Sequence, residues 1–289
     1  MRWVICAGVL LALVPHAYAG DFDVLRGPEP AYHWGGFYGG AQGGFSSSDV
    51  NFGPSVGPDV AFILRNTSIE NDQNISNWTV LGSRYPENSS LGGFIGYNVE
   101  WQNLILGGEI NYNHVFLSAS SSGSLTRDFT DSGNLPAGHH YFYNLTVTGQ
   151  AAMSMTDIAT FRARAGWQAG QFLPYGFAGL AVGKMSTSSG ATVAYSAVDY
   201  PDSETPPLTP LCNINVPSTT NCNISVPTQS QTNSVGQTFA YGFATGFGVD
   251  AAVLPNLFVR GEYEFIYFAP IDGVQLNMQN VRVGVGVKF

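Results

Sequence analysis

Ten charged residues stand inside runs of alternating character: Glu100, Glu109, Arg162, Arg164, Asp250, Arg260, Glu262, Glu264, Arg282 and Lys288. Arg162 and Arg164 alternate with Phe161, Ala163 and Ala165, and Arg260, Glu262 and Glu264 alternate with Val259, Gly261, Tyr263 and Phe265. A period of two is that of a β-strand, so each run carries its charges on one face and its apolar side chains on the other. Such a set, five acidic and five basic, can line a conduit for ions or neutralise itself as a buried network. Catalysis would need a nucleophile, a histidine and a carboxylate gathered at one place. His114 instead shares the apolar parity near the end of its run, an interfacial position. His139 and His140 follow Asp128 and Asp131 and could meet a metal or a heme iron, but they lack the spaced ligand set of a metal site. The expectation is a protein that is not an enzyme and holds no cofactor.

The elements that position these charges read as eight strands. The first runs from Trp34 to about Ser46, with Phe37, Ala41 and Phe45 on one parity and Gln42 on the other. The second and third, Leu91–Gln102 and Leu104–Ser118, form a tight hairpin about Asn103. The fourth spans Met153–Gln168 and the fifth Tyr175–Thr187, where both faces are small or apolar and no register follows. The sixth, Gly236–Val253, turns at Pro255-Asn256 into the seventh, which begins at Leu257, and the last alternates Val281, Val283, Val285, Val287 and Phe289 with Arg282, Gly284, Gly286 and Lys288. Between them, three polar stretches rich in Ser, Asn, Thr and Gly read as long loops: the residues after Ser46, residues 119–151 and residues 188–235. A moderate loop, Ala269–Asn277, precedes the last strand.

Long connections thus alternate with tight ones. That is the pattern of an antiparallel barrel with short turns at one membrane face and long loops at the other, each strand needing about 9–11 residues to cross. The apolar parity would then meet lipid and the charges would point inward. A one-residue slip would place Arg or Lys in lipid at roughly 2–4 kcal/mol each at the midplane, which pins the register. Between conduit and network the network carries more weight, because an eight-stranded barrel is just wide enough for side chains to fill it. Trp34, Trp101 and Trp167 fall at strand ends on the tight-turn side, where an aromatic belt meets headgroups.

The N-terminus carries Arg2, an apolar run from Val4 to Val14, Pro15, and Ala17-Tyr18-Ala19 before Gly20. This is the form of a secretory signal, residues 1–19, too short to span a bilayer. Residues 20–33, with Pro28 and Pro30, read as a periplasmic linker ahead of a barrel over residues 34–289. Without Arg2, ten Lys and Arg remain against 20 Asp and Glu, an acidic balance that argues against nucleic acid as partner. Cys212 and Cys222 form an even pair in an oxidising compartment, the expectation being a disulfide that closes a small ring in the third loop. Asn-x-Ser/Thr triplets at Asn66, Asn74, Asn77, Asn88, Asn144 and Asn223 would suit a secreted sandwich or lectin-like module, the non-membrane alternative.

Several motifs carry a family resemblance: Trp34-Gly-Gly-Phe-Tyr-Gly-Gly, Phe161-Arg-Ala-Arg-Ala-Gly-Trp, Leu173-Pro-Tyr-Gly, Gly179-Leu-Ala-Val-Gly, Val259-Arg-Gly-Glu-Tyr and the close Val281-Arg-Val-Gly-Val-Gly-Val-Lys-Phe289. Together they resemble the small outer-membrane barrel proteins of alphaproteobacteria, a family that includes surface antigens and hemin-binding proteins of Brucella and Bartonella. The likeness covers the strands and hardly touches the long loops. It implies an up-and-down eight-stranded transmembrane barrel in a Gram-negative outer membrane, with Phe289 as the signal read by the barrel-assembly machinery. Lipid and lipopolysaccharide are the expected surroundings, the expected state is a monomer, and a host or environmental ligand would bind on the loops. The function expected is envelope integrity and surface interaction, with a narrow porin and a loop-mediated binder of hemin or host surface as alternatives.

Overall fold

The computed structural model describes residues 32–130, 139–201, 223–225 and 227–289. Residues 1–31, with the expected signal and most of the expected linker, lie outside them, as do Cys212 and Cys222 of the expected disulfide and the side chains of His139 and His140. Eight long strands run β1 (Gly36–Asn51), β2 (Glu87–Trp101), β3 (Leu104–Thr130), β4 (His139–Trp167), β5 (Phe172–Pro201), β6 (Gln229–Leu254), β7 (Leu257–Ile271) and β8 (Val274–Lys288). Each pairs antiparallel with the next, and β1 closes the ring on β8 from Tyr38↔Lys288 to Asn51↔Gln275. Two short strands, Ser83–Arg84 and Asn223–Ser225, lie beside β1 and β5.

At one end β2 turns into β3 at Gln102-Asn103, with Gln102 at φ 57°, and β6 turns into β7 at Pro255-Asn256. Both chain ends of the ring lie here, where the Phe289 amide donates to the Phe37 carbonyl at 2.9 Å. At the other end β7 and β8 are joined by Asp272-Gly273 with φ 52° and 73°. Positive φ at both central residues matches the twist of a tight hairpin, so the moderate loop expected at Ala269–Asn277 is a turn.

The outward face forms a belt of exposed apolar side chains, among them Leu91, Ile95, Ile110, Phe161, Leu180, Phe247, Val283 and Val285. Register in β5 is fixed by burial: Leu173, Tyr175, Phe177, Ala181 and Met185 point inward, and Leu180 outward.

Beyond the belt the structure departs from expectation. Residues 119–151 and 188–235 are not long loops; β3, β4, β5 and β6 continue through much of them, β5 reaching 30 residues where about 9–11 cross a membrane. In this extension the pattern reverses. Leu145, Val147, Ala151, Met153 and Met155 are buried inside while Thr148, Gln150 and Ser154 lie outside, as on a sheet that faces water. The first polar stretch is not a plain loop either. It folds into α1 (Gly57–Ile63), α2 (Ser68–Gln73) and two 3-10 turns that cap the extended mouth. Phe52, Val56, Val60, Leu64, Ile69, Ile75 and Leu81 of this cap join Leu117, Leu145, Met155, Met185, Ile266, Phe268 and Met278 in one apolar core.

Asp59 of α1 is buried and accepts a hydrogen bond from Ser189 Oγ at 2.7 Å. Burial, with the Asp272 carboxylate nearby, raises its pKa, and the Ser189 hydroxyl only partly offsets this. A carboxyl raised in the docked cap keeps its proton longer there than when undocked. Docking is therefore undisturbed below the ordinary carboxyl range and weakens as pH rises from that range through the raised value. Asp59→Asn should remove the loss. Amide exchange of residues 60–64, corrected for intrinsic rate, should be slower in the variant at pH 7 and equal at low pH; faster exchange at pH 7 would contradict this.

Candidate functional site: the charged interior

The inward face of the belt region is built in layers. Nearest the tight turns lies an apolar group of Trp34, Tyr38, Phe94, Ile105, Leu173, Tyr175, Phe177 and Phe258. Inward glycines make room for these rings: a Cβ on Gly96 would lie 2.3 Å from the Tyr38 hydroxyl, and one on Gly286 2.3 Å from the Phe258 ring. Glycine at these strand positions is thus a matter of close approach.

Threaded through the aromatic layer are four arginines and four carboxylates, each residue at most 5% exposed. Glu109 of β3 is the common acceptor. It receives Arg162 Nε at 2.9 Å, Arg260 Nη1 at 2.9 and 3.1 Å, Arg164 Nη1 at 3.2 Å, Tyr38 Oη at 2.7 Å and Asn111 Nδ2 at 2.6 Å. Arg260 also grips Asp250 through Nε at 2.8 Å and Nη2 at 3.1 Å, and Arg164 Nη2 reaches the same carboxylate at 2.7 Å. On the other side Glu262 takes Arg162 Nη1 at 2.8 Å, Arg282 Nη2 at 2.9 Å and Tyr175 Oη at 2.9 Å. Glu264 takes Arg282 Nη2 at 2.6 Å and Asn280 Nδ2 at 3.1 Å. Guanidinium faces left free of hydrogen bonds lie on rings: Arg164 on Tyr175 at 3.8 Å, Arg162 on Phe177 at 4.0 Å and Arg260 on Phe94 at 4.0 Å. Four charges of each sign in mutual contact leave the interior neutral, and only this pairing makes burying them tolerable.

Strand geometry accounts for the convergence. Glu109 and Arg162 are register partners, as are Asp250 and Arg260, and Glu262 and Arg282. Two-residue spacing then stacks Arg164 next to Arg162 and Glu264 next to Glu262 on the same face. Above the charges Gln42 donates to Asn111 at 3.0 Å and to Asn113 at 2.8 Å, a polar layer beneath the apolar core. Below them, the void bounded by Tyr32, Trp34, Tyr38, Asn98, Asp250, Phe258 and Lys288 is only ≈ 10 Å³, about the least that holds one water.

Of the ten charges singled out by spacing, eight meet in this network. Glu100 and Lys288 do not: they lie at the tight-turn rim, where Glu100 is 3.7 Å from His33 Nδ1 and Lys288 donates to the His33 carbonyl. Both are near the ends of their strands, past the level where the interior closes. Trp101 and Trp167 are exposed on the outer face at the same rim, and Phe289, hydrogen-bonded to Phe37 of β1, is exposed as well. Trp34 is a correction: it is not an interfacial aromatic but is 3% exposed inside the barrel, 4.5 Å from the Tyr32 ring and 5.9 Å from that of Phe258. Its parity with Tyr38 and Gln42 already placed it on the inward face. Tyr38, Tyr175, Asn111 and Asn280 also belong to the site without having been singled out, because an uncharged polar residue in a strand does not announce a charged partner on another.

The family described as "Outer membrane protein beta-barrel domain" matches residues 5–289. No curated protein matches the sequence. Solved structures similar to the chain include Ail, the attachment invasion locus protein of Yersinia pestis, in complex with the heparin analogue sucrose octasulfate. It shows 13% identity over 88% of this chain and 99% of that one, with a TM-score of 0.32. Neisserial surface protein A shows 14% identity over 88% and 97%, with a TM-score of 0.32. The translocator domain of the autotransporter NalP from Neisseria meningitidis shows 11% over 88% of each chain, with a TM-score of 0.29.

Proposed function

The chain belongs to the outer membrane protein β-barrel domain family, and from that premise we propose that it is a closed, non-conducting barrel. It would strengthen the outer membrane and present its capped extension to the surroundings of the cell. The observation that carries this reading is the interior itself, in which eight charged side chains are paired. A conduit needs charges that ions can reach and leave; here each arginine and carboxylate is held by an opposite charge, and Arg282 Nε is the one buried donor of the eight left without a partner. The tight turns would lie in the periplasm and the extension outside, in keeping with short inner turns and long outer segments in such barrels.

Planar-bilayer recording of the refolded full chain tests the proposal. Silence at moderate voltage is the expected result. A steady ohmic current from the unaltered protein would replace the reading with that of a narrow porin.

A further inference from the structure

The four-stranded extension has two free edges, and they are treated differently. On β2, pairing to β3 ends at Ser90↔Val115, so among the described residues β3 from Phe116 onward pairs with no strand but β4. That edge is covered and charged: Arg84 Nε donates to the Ser120 carbonyl at 3.1 Å, Val80 lies against Gly123, and Arg127 and Asp128 follow. At the opposite edge, β6 pairs with β5 as far as Val193↔Gln229 but with β7 only from Gly242↔Phe268 downward. A register shift between Val235 and Thr238 marks the lower limit of the regular stretch. Above it, Gln229-Ser-Gln-Thr-Asn-Ser-Val235 runs as a regular strand with no paired strand on one side among the described residues.

Folded proteins guard such edges with charge, proline, a bulge or a covering segment. The seven residues carry no charge and no proline; of their inward positions Gln231 and Val235 are only half-buried, and Asn233 Nδ2 donates to the Asp272 carboxylate of the β7–β8 turn at 3.3 Å, a side-chain contact that leaves the main-chain groups of the edge unpaired by any described strand. Which main-chain groups face the open side is also evident. The Thr232 carbonyl accepts from the Gln231 side chain at 3.3 Å, and the Gln231 carbonyl faces Gly190 of β5. Backbone direction alternates along a strand, so Ser230, Thr232 and Ser234 present their N–H and C=O groups to the open side.

We propose that Gln229–Val235 is a docking edge for an extended polypeptide strand of a partner outside the cell, taken up by β-strand addition. A second copy fits less well: the place beside this edge lies directly above β7 of the same barrel, which admits a single strand but not another barrel wall. The proposal rests on the outward orientation given above, but its test uses purified protein, where sidedness in the cell plays no part.

The probe is a fluorescent synthetic peptide with the sequence of residues 188–195, which already pairs with this segment from the β5 side. Its anisotropy on titration with full-length protein in nanodiscs should rise and saturate. Single proline substitutions should then split by parity. Ser230→Pro, Thr232→Pro and Ser234→Pro each remove a donor from the open side and should weaken binding about tenfold or more, with the heat-modifiable gel shift unchanged. Ser230→Ala, Thr232→Ala and Ser234→Ala keep the donor and should bind as the unaltered protein does. Absence of saturable binding would overturn the proposal, as would equal losses in the alanine and proline series. A dimer trapped through Ser234→Cys without peptide binding would overturn it in favour of a second copy.

Discussion

Glu109→Gln should destabilise the barrel by roughly 3–5 kcal/mol, the usual cost of breaking a buried ion pair from one side, and should admit ions to an interior that is otherwise closed. Glu109 accepts from three guanidiniums, a phenol and an amide. The amide of glutamine keeps the shape but offers one acceptor oxygen, no charge, and two N–H groups that face donors. Four arginines would then stand against three carboxylates. Relief can come from unfolding or from hydration, and both can be measured. The urea midpoint of the gel-shifted folded form in micelles should fall, and brief conductance events should replace silence. A variant with an unchanged midpoint and a silent bilayer would show that Glu109 is not the keystone acceptor its contacts indicate.

Val60→Asp should release the cap and leave the barrel shut. Val60 is fully buried on α1 against the upper core, and an unpaired carboxylate there costs several kcal/mol, to be avoided only by undocking the helix. Arg65, at the end of that helix and exposed, should then be cut rapidly by trypsin while the membrane-embedded strands resist. Conductance should remain silent, because the polar and charged layers below the cap close the barrel without it. Phe62→Asp supplies the comparison: Phe62 is on the same helix but exposed, so cleavage should hardly change. Combining Val60→Asp with Glu109→Gln should give larger currents than Glu109→Gln alone. If Val60→Asp alone conducts, the cap and not the charge network is the closure.

The sequence by itself determined the membrane-crossing part, and the reason is local. Lipid on one side and a confined interior on the other force a strict alternation, so parity alone separates Val281, Val283 and Val285 from Arg282, and Phe161 from Arg162. Parity places Trp34 inward as well, since it is evenly spaced from Tyr38 and Gln42, although it stands at a strand end. The spacing Phe52, Val56, Val60, Leu64 likewise carries a helical period of four, but Gly53, Pro54, Gly57 and Pro58 lie among them and read as loop. Pro54 and Pro58 in fact sit in the first turns of their helices, where proline is tolerated.

Other features were decided only by tertiary structure. The extension of β3 to β6 looked like loop because outside lipid the outer face is polar, and its apolar partner is small or interrupted, as at Gly149. A register irregularity next to Thr156 also moves the inward positions of β4 from Met153 and Met155 to Ile158, Thr160 and Arg162, which breaks any single count along the strand. Which arginine meets which carboxylate depended on closure of β1 onto β8 and on the stagger of the ring. Sequence spacing places a charge on a face, but only the closed barrel sets its height and the residues opposite, and so brings Glu109 within reach of arginines from β4 and β7 while leaving Glu100 and Lys288 at the rim.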